Sequence, residues 1–445
     1  MEKLPVDDRD QSSADIEKSE KSVIADPSIP SLLPHELYPP DEGKKAWLCV
    51  VGSFCGIFVS FGYINVIGVF NEYYMANQLS DYSPSTVAWI SSIETFILIF
   101  PGFIIGRLYD LYGPRMLIVP GSILLLLGVF TTSVSKEYYQ FMLAQGFCTS
   151  IGASLIFNPC LGALAGWFRR KRGAAMGIAV SGSSLGGVIM PIMFREITAR
   201  SGFGWAVRAI GFLMAGMIIV ACLTVNSRIR PAKSMPADDS HHFNMYNAYI
   251  APFKSLQFSL VVLSMFFIYW GLFIPIGYIP SHAVAHGFSE SLSLYLIAIL
   301  NAASVFGRLI PGFLADKIGR FEVFIVAGVG TGILVLALWL PATGHVPIIL
   351  FAALYGFFSG SAVSVMPAIA AEISPIREIG TRWGIISAAG SLGALSGLPI
   401  AGAIVSSNGG KYWGTSIFSG ISILVGCVLI TLVFILRRRE QRASK

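Results

Sequence analysis

NAASVFGRLIPGFLADKIGR, residues 301 to 320, begins inside an apolar segment, carries one arginine (Arg308) through it, and ends in a charged turn with Asp316, Lys317, Gly319 and Arg320. A related turn, GRLYDLYGPR, occupies residues 106 to 115. Gly106, Asp110 and Gly113 fall on Gly312, Asp316 and Gly319 at one constant offset, so the chain carries the same unit twice. Each copy stands where a long apolar run stops, which makes it a turn at a membrane edge.

The composition agrees. Of the 445 residues, 54% are hydrophobic and only 13% charged, which overrides the usual division of such a length into soluble domains. The net charge of +6 does not point to nucleic acid, because the basic residues are spaced along loops between apolar runs. The six cysteines all lie in apolar runs without a CxxC pair, so neither a disulfide framework nor a metal site is expected.

Residues 1–45 are polar and rich in Pro, Ser and acids, and read as a disordered cytoplasmic tail. From Ala46 onward, apolar runs long enough to cross about 30 Å of hydrocarbon alternate with short polar turns. Twelve spans are expected: 46–74, 86–108, 116–134, 141–166, 174–195 and 206–226, then 255–280, 291–314, 321–341, 348–370, 385–405 and 414–436. The polar stretch 227–254 separates them into an N-terminal six-helix bundle, 46–226, and a C-terminal one, 255–436, with a cytoplasmic tail at 437–445. The fold class is therefore all-α integral membrane, with two pseudo-symmetric bundles. If the first residues lie inside, Lys136, Arg195, Arg200, Arg208 and Lys411 are the only basic residues in outer loops. Both termini are then cytoplasmic.

An ionised side chain in hydrocarbon is costly and needs a reason. Two lie well within the expected spans. Arg308, about 12 Å along its helix from Asp316 at 1.5 Å per residue, offers a planar fork of donors that fits a carboxylate. It is the leading candidate for binding an anionic substrate, against the alternative of a permanent pairing inside the protein. Glu94 is the intramembrane acid and a candidate for proton coupling; it could equally be a neutral hydrogen bonder or the partner of Arg308. Asp110, Arg115, Asp316 and Arg320 belong to the repeated turns and are expected to form a cytoplasmic gate, the carboxylates accepting from the exposed N–H groups of a neighbouring helix. Asn65, Asn158 and Tyr355, beside prolines or in polar stretches of the first, fourth and tenth spans, are expected to line the substrate cavity. The six histidines fall in expected tails and loops, which leaves no histidine relay.

With these residues in view, the two turns resemble the signature loop of the major facilitator superfamily, roughly GxLaDrxGrr, although Pro114 stands where a basic residue is usual. WFRRKRGAAMGIAVSGSSLGG, Trp167 to Gly187, together with GRLIPGFLADKIGR and ISPIREIGTRWG, is similar to the monocarboxylate porter family and its fungal branch. The resemblance implies alternating access around a central site for organic anions, with Arg308 matching the eighth-helix arginine that meets the carboxylate. Two departures bear on coupling. Ser304 stands where an acid often precedes that arginine, and Asn65 falls at or beside the first-helix lysine of animal members.

The expectation is a secondary transporter of an organic anion, a monocarboxylate or an acidic secondary metabolite, exported across the plasma membrane. Proton-coupled uptake of a carboxylate or vitamin-like nutrient is the alternative, and a non-transporting membrane sensor is one of another class. An enzyme is not expected, since no His, Cys or paired-acid constellation lies in the spans. Nor is a cofactor or metal. The expected partners are a small-molecule substrate, the lipid bilayer and, if transport is coupled, protons; the protein is expected to be a monomer without nucleic acid.

Overall fold

The computed structural model describes residues 40–229, 231 and 245–443. Most of the expected N-terminal tail, much of the 227–254 linker and the last two residues lie outside the described residues. Twelve helices are long and apolar enough to cross a membrane, and no strand occurs among the described residues. They are α1 (Lys44–Ala76), α2 (Ser85–Tyr112), α3 (Arg115–Thr132), α4 (Tyr138–Trp167), α5 (Arg172–Ser201), α6 (Phe203–Thr224), α7 (Leu256–Ala285), α8 (Tyr295–Ile318), α9 (Arg320–Trp339), α10 (His345–Glu372), α11 (Ile376–Ser407) and α12 (Trp413–Ala443).

Two expectations change. The helices outrun their hydrocarbon-spanning cores, most clearly α12, which continues past residue 436 to Ala443. Its arginines are held there rather than released into a tail: Arg437 pairs with Glu372 at 3.3 Å and Arg438 with Glu322 at 3.1 Å. His282, expected in a loop, lies inside α7, buried against Trp339 and Tyr412, because α7 runs through Pro275 and Pro280 without ending.

That continuity has a visible compensation. Proline at 275 removes the amide that would pair with the Gly271 carbonyl, and the Ser419 hydroxyl donates to that carbonyl at 2.9 Å instead. Pro311 likewise frees the Gly307 carbonyl, which accepts from Ser361 at 2.8 Å. Real interruptions occur elsewhere. The first span is three helical pieces, Lys44–Val59, Phe61–Ile64 and Ile67–Ala76, and the second breaks at Phe100–Pro101. In α4 the stretch Met142–Thr149 is a π-helix, a widened turn of the kind that often marks functional positions.

The repeated unit ends alike in both copies. Gly113 and Gly319, with φ of 79° and 129°, close α2 and α8 in the region that glycine adopts at little cost. Each turn therefore sets the preceding carboxylate at the same place relative to its helix end. The start of α1 at Lys44 and the end of α12 at Ala443 lie on the face that carries these turns, called here the terminal face. Between the bundles, α5 packs along α8 and α2 along α11. The contacts are backbone to backbone: a Cβ on Gly106 would overlap the Gly380 carbonyl, and one on Gly177 the Arg308 carbonyl. In lipid, where apolar burial gives little drive between helices, this close approach supplies much of the attraction.

Candidate functional site

At the terminal face two carboxylates each cross from one bundle to a helix N-terminus in the other. The first-turn amides of a helix have no intrahelical acceptor and carry partial positive charge, so a carboxylate there meets both needs. Asp110 at the end of α2 accepts from the Gly380 amide (3.0 Å), the Thr381 amide (2.7 Å) and the Thr381 hydroxyl (2.6 Å) of α11. Asp316 near the end of α8 accepts from the Gly173 and Ala174 amides of α5 at 2.7 and 2.8 Å. The bundles are thus clasped twice on this face.

The clasps are unequal. Arg320 lies 3.7 Å from Asp316, pairs with Glu372 at 3.0 Å and also donates to the Arg169 carbonyl across the interface. Asp316, Arg320 and Glu372 line a cavity of about 370 Å³ with Glu322, Arg437 and Arg438, in which acids and bases pair. Asp110 has a different setting, with Arg107 of α2 within electrostatic reach and an Arg382–Glu378 pair at 3.0 Å beside its donors on α11. Arg115 is exposed and takes part in no ion pair among the described residues, because Pro114 occupies the position equivalent to Arg320. On the far side of the α4–α5 turn, Asp41 accepts from the Arg169 and Lys171 amides at 2.6 and 3.1 Å.

Further into the interface stands Arg308, 7% exposed. Its Nη1 donates to the Val180 carbonyl at 2.8 Å and to the Ser183 hydroxyl, both on α5, while Nε has no partner. No carboxylate pairs with it among the described residues, and Tyr269 of α7 lies within electrostatic reach. Asn65, at the break in α1, donates to the Ser183 carbonyl at 3.3 Å and to Phe61 at 3.2 Å. Asn301, two turns from Arg308 on the same face of α8, lies against Gly187 beside Asn65. Pro191 removes the amide that would pair with Gly187's carbonyl. Asn65, Ser183, Asn301 and Arg308 thus form one polar group where α1, α5 and α8 meet.

The other expected residues lie elsewhere. Asn158 is on α4, facing the crossing of α2 and α11 at Gly102 and Gly384. Tyr355 is fully buried in the C-terminal bundle, where its hydroxyl donates to the Leu272 carbonyl at 2.6 Å and its ring lies 5.1 Å from Phe351. That bond joins α10 to α7, and the structure does not bring Tyr355 to the Arg308 group. Glu94, 1% exposed, is not the partner of Arg308: it accepts from Gln145 Nε2 at 2.8 Å, and Gln145 Oε1 accepts from the Tyr74 hydroxyl at 2.7 Å. Gln145 is carried on the π-helical stretch of α4.

Sequence reasoning did not single out Ser183, Asn301, Gln145 or Thr381. The run SGSSLGG before Pro191 held the only signal for the first of them, a serine among close-packing glycines ahead of a helix-loosening proline.

Comparison with known proteins accords with this architecture. The profile described as Major Facilitator Superfamily matches residues 52–352 and 262–445. The "MFS-type transporter 1" of Ophiocordyceps sp. is 46% identical over 393 residues, covering 88% of this chain and 86% of its own length. The "Fujikurins efflux protein" of Gibberella fujikuroi is 43% identical over 399 residues, covering 89% and 84%. Among solved structures, the fucose:proton symporter of E. coli superposes with a TM-score of 0.69 at 13% identity, covering 86% of this chain and 98% of the symporter, a likeness of fold. With duplicated bundles, paired clasps and relatives of nearly full length in agreement, this chain is a multi-pass membrane protein that belongs to the major facilitator superfamily.

Proposed function

We propose that the protein exports an organic anion, a monocarboxylate or an acidic secondary metabolite, by alternating access around Arg308. The observation that carries this reading is a nearly buried guanidinium held, among the described residues, by neutral acceptors, the Val180 carbonyl and the Ser183 hydroxyl. A buried charge without a counter-charge is expensive, and a visiting carboxylate or acidic enol supplies it. The similarity of WFRRKRGAAMGIAVSGSSLGG to the monocarboxylate porters favours the same chemistry, and export is the activity in the printed name of the fujikurin relative.

In this reading the terminal face is cytoplasmic, the membrane is the plasma membrane, and Asp110 and Asp316 with Arg320 form the inner gate. With both clasps made, the gate is shut and the site opens towards the outside. Opening separates each carboxylate from its helix N-terminus and frees Arg308 from α5, so that an anion from the cytoplasm can take the place of its acceptors. Asn65 and Asn158 border the site. A second reading, proton coupling, is favoured by Glu94: a buried acid held by one neutral amide can exist with or without its proton, and its bond to Gln145 ties that choice to α4.

The test is flux of a panel of radiolabelled carboxylates through proteoliposomes holding the parent, Arg308→Lys or Arg308→Gln. Loss of a charge-assisted hydrogen bond in a buried site is worth about 3 kcal/mol, on the order of a hundredfold in apparent affinity. Arg308→Gln is expected to lose anion flux on that scale, with Arg308→Lys between it and the parent. Undiminished anion flux in Arg308→Gln would overturn the reading.

A further inference from the structure

Among the described residues, the buried polar atoms without a hydrogen-bond partner include Asn158 Oδ1 on α4, Ser184 Oγ on α5, Arg308 Nε on α8, and Trp383 Nε1 and Ser387 Oγ on α11, all on helices around the bundle interface. Buried polar groups are nearly always paired, so each of these asks for an explanation. Arg308 and Ser184 belong to the α5–α8 side already described. The remaining three belong to α4 and α11, on the α2–α11 side of the interface.

Their placement follows from the register of α11. Gly380 and Gly384 face Gly106 and Gly102 of α2, and Ser387 is the next residue along that stripe, away from the clasp and towards the middle of the interface. Trp383 lies just beside the stripe. A Cβ on Gly102 would stand 3.0 Å from Asn158 Oδ1 and 3.5 Å from the Gly384 backbone, so the carboxamide oxygen sits at this crossing. Its orientation is fixed, because Nδ2 donates to the Ser154 carbonyl and hydroxyl at 3.2 and 3.4 Å. The oxygen is therefore the free end. Asn158 is 2% exposed, Ser387 1% and Trp383 5%.

The pseudo-symmetry sharpens the contrast. The offset that carries Asp110 onto Asp316 carries Gly102 onto Arg308. Where one half places a cation at the interface, the other removes the side chain altogether and brings up a neutral acceptor from α4.

We propose that Asn158 and Ser387, flanked by Trp383, form a second pole of the central site, which takes a hydrogen-bond donor of the substrate, a hydroxyl or an amide N–H. This rests on the central-site reading given above and narrows its substrate class: an organic acid with a donor group remote from its anionic end. A plain aliphatic acid leaves the second pole unpaired and is rejected for that reason.

The experiment uses four probes, decanoate, 10-hydroxydecanoate and the methyl ester of each, with binding to the purified full-length protein measured by calorimetry. The parent is expected to bind the hydroxylated member of each pair about tenfold more tightly, the worth of one neutral hydrogen bond to a buried group. Asn158→Leu and, independently, Ser387→Ala bring that ratio to about one in both pairs. Ser387→Ala deletes one oxygen, so its fold is retained should Asn158→Leu prove unstable. A parent that shows no hydroxyl preference, or a preference that survives both variants, overturns the second pole. The acid-to-ester ratio reports separately on Arg308: if acids and esters bind alike while the hydroxyl ratio behaves as stated, the second pole stands and the anion reading falls.

Discussion

Asp110→Asn is the most informative single change. The Asp110 carboxylate takes three donors from the start of α11, two backbone amides and the Thr381 hydroxyl, all within 3.0 Å. An asparagine offers one acceptor oxygen and an amino group that donates, so at most part of this set survives, and the favourable interaction of a negative charge with a helix N-terminus is lost. Two charge-assisted hydrogen bonds at about 1.5 kcal/mol each give about 3 kcal/mol against the closed terminal face, a shift of roughly a hundredfold in the open-to-closed ratio. The readout is the distance distribution between spin labels at Arg115 and Lys317, exposed residues on that face, one in each bundle. A single short-distance population in the parent should give way to a substantial longer one in Asp110→Asn, and Asp110→Glu, which keeps the charge, should lie between them. If Asp110→Asn keeps the parent's distribution, the clasp does not hold the face closed and the gate must be placed elsewhere.

The remaining predictions concern separate parts of the molecule. Gly106→Val sets side-chain atoms where the Gly380 carbonyl already lies, so it should abolish closure and lower the melting temperature by several degrees, as followed by nano-scale fluorimetry. Tyr355→Phe removes a buried bond to the Leu272 carbonyl and should cost about 1 kcal/mol of stability while changing substrate affinity less than twofold; a tenfold loss of affinity would return Tyr355 to the site. Glu94→Gln keeps a side chain of the same shape beside Gln145 but cannot release a proton. If Glu94 couples protons, this variant should retain substrate exchange across vesicles and lose accumulation driven by an imposed pH gradient; driven accumulation equal to the parent's would exclude the coupling role.

The fold was legible because two rules act without tertiary information. A span needs about 20 apolar residues, and a carboxylate after an apolar run followed by a glycine with positive φ marks the turn that closes it. Both act through local chain chemistry, so they survive in a single sequence. The site was less legible, since its partners come from helices far apart in the chain. Asp110 is conspicuous in GRLYDLYGPR, but nothing there names Gly380 and Thr381 as its donors. Arg308 stands out as a cation in hydrocarbon, yet its acceptors on α5 are a backbone carbonyl and one serine among many. Tyr355 shows the opposite limit: a polar edge in a span reads as cavity lining until the carbonyl it serves is known. Histidine 282 was misplaced for a similar reason, since Pro275 and Pro280 look like an end to α7 until Ser419 is seen supplying one of the missing bonds.

Duplication gives the chain a machine with two equal halves, and function requires that the halves differ. They differ at each level of the interface. At the terminal face, Asp316 is backed by Arg320 and Glu372, whereas Asp110 relies on Thr381 and lacks a basic neighbour at Pro114. The α5–α8 clasp is therefore the one whose carboxylate lies in an ion-pair cluster, and the α2–α11 clasp the one whose carboxylate is taken up by three donors at a helix N-terminus, with Arg107 within electrostatic reach. About two turns further in the same division recurs, with Arg308 on α8 opposed to the glycine at 102 and the Asn158 carboxamide. Salt weakens exposed ion pairs more than buried hydrogen bonds. Raising ionic strength should therefore loosen the α5–α8 side first, and spin labels at Arg170 and Lys317 should separate at salt concentrations that leave a pair at Arg115 and Glu378 unmoved. Equal loosening of both pairs would mean that the two clasps are energetically alike in spite of their different chemistry.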